Sequence, residues 1–254
     1  MNIFAEKQIV LSKHITLNFI NIENYSPELF SLINDEIAKI WDGDLDDNDC
    51  ETVKLEFKDW LDKKKPFQKY GFISEFICHL YLRYQKYDQH FLFRNLEEKG
   101  PKKGFDGIFM YDTEFWIYES KCTMPDTKIL DHNVNISSAY NDINKKITGE
   151  NNKNNPWKNA YTHSNSFSIK KNQSLTSALR DLSKRYVRKD FEVIDHYNVI
   201  PSSIIYMDSK WDVIDNMELE KSLNNLLKKY TAKRINVICI NKKNIDDFIK
   251  FIES

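Results

Sequence analysis

Apolar residues along this chain change their spacing from one segment to the next. In YGFISEFICHLYLRYQKY, Tyr70 to Tyr87, residues Phe72, Ile73, Phe76, Ile77, Leu80 and Tyr81 recur at three- and four-residue steps. That spacing predicts a helix with one wide buried face, and Glu75 lies near the edge of that face. A second helix is predicted from Ser26 to Trp41, where Ser26-Pro27-Glu28 supplies a cap, a first-turn proline and an early acid. Further helices are predicted around Asn135 to Ile147, Ser174 to Arg188, Glu218 to Tyr230 and Asn244 to Ile252. Short apolar runs at Gln8–Val10, Ile15–Ile20, Ile200–Met207 and Ile235–Ile240 read as strands. The acidic stretch from Asp42 to Glu51 and the polar stretch from Gly149 to Asn159 read as exposed loops.

Strands that alternate with helices predict an α/β fold, a mixed central sheet flanked by helices. Residues 1–65 are expected to form an α+β extension or cap, and residues 66–254 the main domain. The N-terminal strands either join the main sheet or belong to the cap.

The segment GFDGIFMYDTEFWIYESK, from Gly104 to Lys121, has a different pattern: two apolar runs around the polar break Asp112-Thr113. A two-residue turn there makes a hairpin in which facing residues have numbers summing to 225. Asp106 then lies opposite Glu119. Strand parity puts Lys121 on the same face as Glu119, whereas a one-residue slip would place Ser120 opposite Asp106. Like charges facing each other on a sheet destabilise it. Such a pair is either fully solvated or has something positive between its members. Lys121 supplies one positive charge, and a divalent cation would supply more.

Oxygen-only ligands suit Mg²⁺, which Mn²⁺ can replace. Asp106, Glu119 and the Ser120 backbone carbonyl are the candidate ligands. Lys121 could orient a metal-bound water, stabilise charge on phosphorus, or, with a lowered pKa beside a dication, help deprotonate that water.

The composition narrows the setting. A formal net charge of −1 means that attraction to nucleic acid must come from local basic patches. Such patches occur at Lys102 and Lys103 and along the helix from Ser174, where Arg180, Lys184 and Arg188 recur every four residues as a candidate DNA-contacting stripe. The four cysteines are scattered without a CxxC pair, and no run is long enough to cross a bilayer. The start of the chain lacks the pattern of a secretory signal. A cytoplasmic protein without a membrane partner is expected. His79, one turn after Glu75, is expected as a helix packing residue, with metal ligation as the alternative. Trp157, Tyr161 and His163 either pack onto the core or stack on bases.

These residues resemble the PD-(D/E)XK nuclease superfamily. Glu75 in GFISEF is similar to its helix acid, Asp106 in GFDG to its strand aspartate, and Glu119-Ser120-Lys121 to its ExK. Phe105 stands where that superfamily usually has proline. GFISEFICHLYL, KGFDGIF, WIYESK and IPSSIIYMDS are similar, more narrowly, to HamA, the nuclease subunit of Hachiman anti-phage defence. The resemblance implies a restriction-endonuclease-like core, catalytic roles for Glu75, Asp106, Glu119 and Lys121, and metal-dependent hydrolysis of DNA phosphodiesters. It also implies a HamB-like helicase partner that restrains the nuclease. Two other readings stay open: a type II restriction endonuclease, and a silent nuclease-like domain that binds DNA or a partner.

Overall fold

The structure is a computed structural model that describes residues 2–94, 104–150 and 154–254. Seven strands form one mixed sheet in the order β1-β2-β7-β6-β5-β4-β3. They are β1 (Lys7–Ser12), β2 (Ile15–Ile22), β3 (Asp88–Gln89), β4 (Gly107–Tyr111), β5 (Glu114–Thr123), β6 (Asn198–Tyr206) and β7 (Arg234–Lys242). The four central strands β2, β7, β6 and β5 run parallel; β1 and β4 pair antiparallel on their outer sides, and β3 antiparallel to β4.

The sheet separates two cores, and residue parity decides which one a side chain joins. On one face, Ile20, Phe109, Trp116, Tyr118, Ile200, Ile204 and Ile238 pack beneath α1 (Pro27–Asp42), α2 (Cys50–Asp62), α3 (Pro66–Tyr84) and α8 (Asp246–Glu253). On the other, Leu17, Phe19, Ile108, Ile117, Val199 and Val237 pack beneath α4 (His132–Ile147), α5 (Pro156–Ser164), α6 (Gln173–Val187) and α7 (Asn216–Leu227). Central strands buried on both sides carry near-continuous apolar runs, as parallel sheets require.

Most predicted elements occupy their predicted places, and Ser26 caps α1 by accepting from the Leu29 amide. Two helices that were not predicted begin within the last residues of the stretches expected to be loops, while residues 43–49 lie outside helix and strand as expected. The acidic stretch ends at Asp49, whose carboxylate caps α2, and Val53, Phe57 and Leu61 bury one side of that helix. Asn155 caps α5, which begins at Pro156 inside the stretch expected to be exposed, and Trp157 is buried. Residues 1–65 contribute β1 and β2 to the common sheet, and α1 and α2 to its helical cover.

The hairpin has the expected register, with Gly107 opposite Tyr118 and Tyr111 opposite Glu114. Asp112 and Thr113 have φ of 49° and 66°, the two positive values that a type I′ turn needs. A β-branched residue is strained there. Thr113→Gly is therefore expected to stabilise the fold by about 1 kcal/mol, read as a higher urea midpoint at unchanged slope.

Lys242 is the unusual core residue. It is 0% exposed, and its Nζ has no hydrogen-bond partner among the described residues. It lies 4.3 Å from the centre of the Tyr25 ring. Burial, partly offset by Asp247 and Asp246, lowers its pKa from 10.5 to about 8. As pH falls from 10.5 towards 8, the unfolded chain takes up the proton before the folded one, so stability is lost. Below 8 the cost stays constant at about 3 kcal/mol. Lys242→Met is expected to raise the urea midpoint at pH 7, with the gain shrinking to nothing by about pH 10.5.

Candidate active site at the open end of the hairpin

At the end of the hairpin opposite its turn, the β4 ladder stops at Gly107 while β5 continues to Thr123. Glu119, Ser120 and Lys121 thus run past the last β4 residue, and Asp106 lies in the bend that leads into that strand. The two glycines beside Asp106 let neighbours come close. A Cβ on Gly104 would overlap the Pro156 backbone, and one on Gly107 would lie 2.9 Å from the Phe109 ring and 3.1 Å from Tyr118.

Asp106 uses one carboxylate oxygen, Oδ2, to accept from the Ser120 amide at 2.9 Å and from the Ser120 hydroxyl at 3.1 Å. The Ser120 amide therefore faces the β4 edge. Both polar groups of a strand residue point to the same edge, so the Ser120 carbonyl also faces the open end. His79, buried on α3, contacts the Asp106 carbonyl through Nε2 at 3.3 Å and packs against Phe93, Phe109 and Tyr118. It supports the Asp106 backbone from within the core, as expected of a packing residue. Glu75 lies half-buried on the same helix. Burial raises the Tyr118 phenol well above its ordinary pKa, and the nearby charges of Cys78, Asp106 and Glu75 add to the effect. The two acids thus share one neighbourhood, Glu75 coming from α3 and Asp106 from the bend before β4.

Glu119 is only 3% exposed. Its Oε1 accepts from Lys121 Nζ at 3.0 Å and its Oε2 from Lys146 Nζ at 2.6 Å. Lys121 also reaches Asp142 Oδ2 at 2.6 Å. The positive charge beside the carboxylate pair is therefore two ammonium groups, one on β5 and one on α4. Burial, then the charge of Asp106, pushes the Glu119 carboxyl up, and the lysines pull it back. For Lys121, burial favours the neutral amine, but Glu119, Asp142 and Asp106 outweigh it and hold the group well above its ordinary pKa. Without an ion beside it, Lys121 is held as a cation.

Asp142 and Lys146 were not singled out in the sequence. They lie one turn apart on α4, beside Ile136, Ile143 and Ile147, which bury the helix on the sheet. A further polar network anchors the first turn of that helix. Asn241 donates through Nδ2 to the Asp212 carbonyl, which leaves its Oδ1 to accept from His132 Nε2 at 3.0 Å. His132 Nδ1 then accepts from the Ser203 hydroxyl at 2.7 Å, and Asn135 donates to that same hydroxyl. Burial pushes His132 down to about 4, so the ring is neutral and this chain of donors and acceptors is consistent. The only sequence signal for Asp142 and Lys146 was their place on the helix predicted around Asn135 to Ile147.

Among the described residues, no three His, Cys, Asp or Glu side chains are arranged to hold a metal ion. The donor chemistry nonetheless fits a hard cation, because Asp106, Glu119 and the Ser120 carbonyl offer oxygen alone. Mg²⁺ is commonly bound by one or two carboxylates while keeping several waters.

The other candidate residues divide by position. Lys102 and Lys103 lie outside the described residues. Arg180, Lys184 and Arg188 form an exposed stripe on α6 and its end, with Lys184 3.2 Å from Asp181. Asn155 at the start of α5 donates to the Ser183 carbonyl of α6, and Trp157 of α5 packs on Phe105 with ring centres 5.1 Å apart. The stripe is thus braced through α5 to the residue next to Asp106. Trp157 and His163 are buried, His163 stacked on Phe91 at 3.8 Å, so packing onto the core is their role.

The HamA family model matches residues 13–254, nearly the whole chain, and the chain belongs to the HamA family. Comparison with curated proteins and with solved structures finds no match. No helix among the described residues is long and apolar enough to cross a membrane.

Proposed function

We propose that this member of the HamA family is a metal-dependent DNA endonuclease of the PD-(D/E)XK kind, the effector subunit of a Hachiman anti-phage defence system. The observation that carries the reading is the convergence of Asp106 and the Glu119-Ser120-Lys121 segment at the open end of one hairpin, with Asp106 tied to the Ser120 amide. Family membership supports the defence setting.

Asp106, Glu119 and the Ser120 carbonyl would hold Mg²⁺, or Mn²⁺ in its place. The ion supplies a Lewis acid for a phosphoryl oxygen and a bound water of lowered pKa. Lys121 keeps its proton and offers fixed positive charge to the negative charge that develops on phosphorus. The Ser120 amide and hydroxyl orient the Asp106 carboxylate, and His79 steadies its backbone. Glu75 adds a further acid from the α3 side. Arg180, Lys184 and Arg188 provide an exposed path for a phosphate backbone without base readout. Restraint by a HamB-like helicase and a cytoplasmic location complete the proposal.

With plasmid and linear DNA in Mg²⁺ or Mn²⁺, the wild type is expected to nick or cut. Lys121→Ala and Asp106→Ala are expected to lose at least about a hundredfold in rate while keeping the circular-dichroism spectrum of the fold. Equal cleavage by all three proteins would overturn the site assignment, and a small set of discrete fragments would point to a restriction enzyme instead. If wild type stays inactive with its helicase partner and aberrant DNA present, the silent-domain reading replaces this one. Replacing Arg180, Lys184 and Arg188 together by alanine is expected to weaken DNA binding for all sequences alike. The salt dependence of log K should become shallower by about one per side chain removed. An unchanged salt slope would show the stripe to be a solvated helix face.

A further inference from the structure

Both oxygens of Glu119 are engaged, and the two lysines that engage them are held differently. Lys121 is shared between Glu119 at 3.0 Å and Asp142 at 2.6 Å, so it keeps a carboxylate partner even if Glu119 turns to another cation. Lys146 has one carboxylate contact among the described residues, Glu119 Oε2 at 2.6 Å. Its ammonium also lies 5.9 Å from the centre of the Phe105 ring, which borders Asp106. A short movement would leave the ammonium over that ring and still attracted to it.

We propose that Lys146 is a positioning residue that holds Glu119 in the ion-free site and competes with a divalent cation for Oε2. This inference rests on the nuclease reading, because it takes Glu119 as a metal ligand. A buried carboxylate needs a compensating charge whether or not an ion is bound. With the ion absent, Lys146 provides it and keeps the Glu119 side chain in place. A dication and an ammonium on one carboxylate oxygen would sit within about 4 Å of each other and repel strongly in a poorly solvated site. The ion therefore displaces Lys146, whereas Lys121 stays fixed by Asp142.

Mn²⁺ binding followed by electron paramagnetic resonance of the free ion tests the competition on the full chain. Lys146→Met is expected to bind Mn²⁺ at least tenfold more tightly than wild type, and Lys146→Arg, which keeps the charge, to stay near wild type. Equal or weaker binding by Lys146→Met overturns the inference and leaves the nuclease reading standing. The same affinity change in Lys146→Arg and Lys146→Met overturns it as well, since charge would not be the cause. If no protein binds Mn²⁺, both readings fall. Should Lys146→Met not fold, amine acetylation of the wild type read by mass spectrometry decides the question. Saturating Mn²⁺ is expected to raise modification of Lys146 several-fold and not that of Lys121. No rise at Lys146 overturns the proposal.

Discussion

The buried Glu119 carboxylate is the constraint around which this end of the molecule is organised. A carboxylate almost wholly removed from water is tolerated only when cations or hydrogen bonds compensate it. Lys121 and Lys146 do so at 3.0 and 2.6 Å, and Asp142 fixes Lys121 in turn. Strand β5 supplies one cation and α4 the other. The position of α4 on the sheet is therefore part of the site and not only of the core. The neutral His132, held between Ser203 and Asn241, sets the first turn of that helix. Ile136, Ile143 and Ile147 bury the rest of it.

The same compensation separates two kinds of buried charge in this protein. Glu119 has partners with geometry suited to them, and exchange of those partners for an ion is a chemical event. Lys242 has no hydrogen-bond partner among the described residues; it rests against the Tyr25 ring, where burial holds its pKa at about 8. One charge belongs to a site that faces solution at the end of a hairpin. The other sits at the end of β7, sealed beneath the first-face helices, where its ionisation opposes folding.

The hairpin shows how far local rules reach. The Asp112-Thr113 turn has no glycine, yet both residues adopt positive φ because the facing strands bury side chains on both sheet faces in one register only. A slip by one residue would turn Ile108, Ile117, Tyr118 and Trp116 to the wrong cores, a cost far larger than the strain at Thr113. The helices α2 and α5 went unpredicted for a complementary reason. The acidic stretch and the asparagine-rich stretch do end in polar residues, but Asp49 and Asn155 are helix caps. Polar caps resemble loop until the apolar face that follows has something to pack against.

Strand parity and helical spacing, both properties of the covalent chain, were enough to set the α/β layering, the hairpin register from Gly107–Tyr118 to Tyr111–Glu114, and the face shared by Glu119 and Lys121. Membership of the HamA family likewise lies in the sequence. Only the tertiary structure decided that the N-terminal strands join the common sheet. It also decided that Trp157 and His163 are core residues, and that Lys146 and Asp142 of α4 reach the Glu119-Lys121 pair. Those outcomes depend on which elements pack together across tens of residues of chain. A charge on a helix has no visible partner in sequence until burial of that helix's apolar face carries it to one.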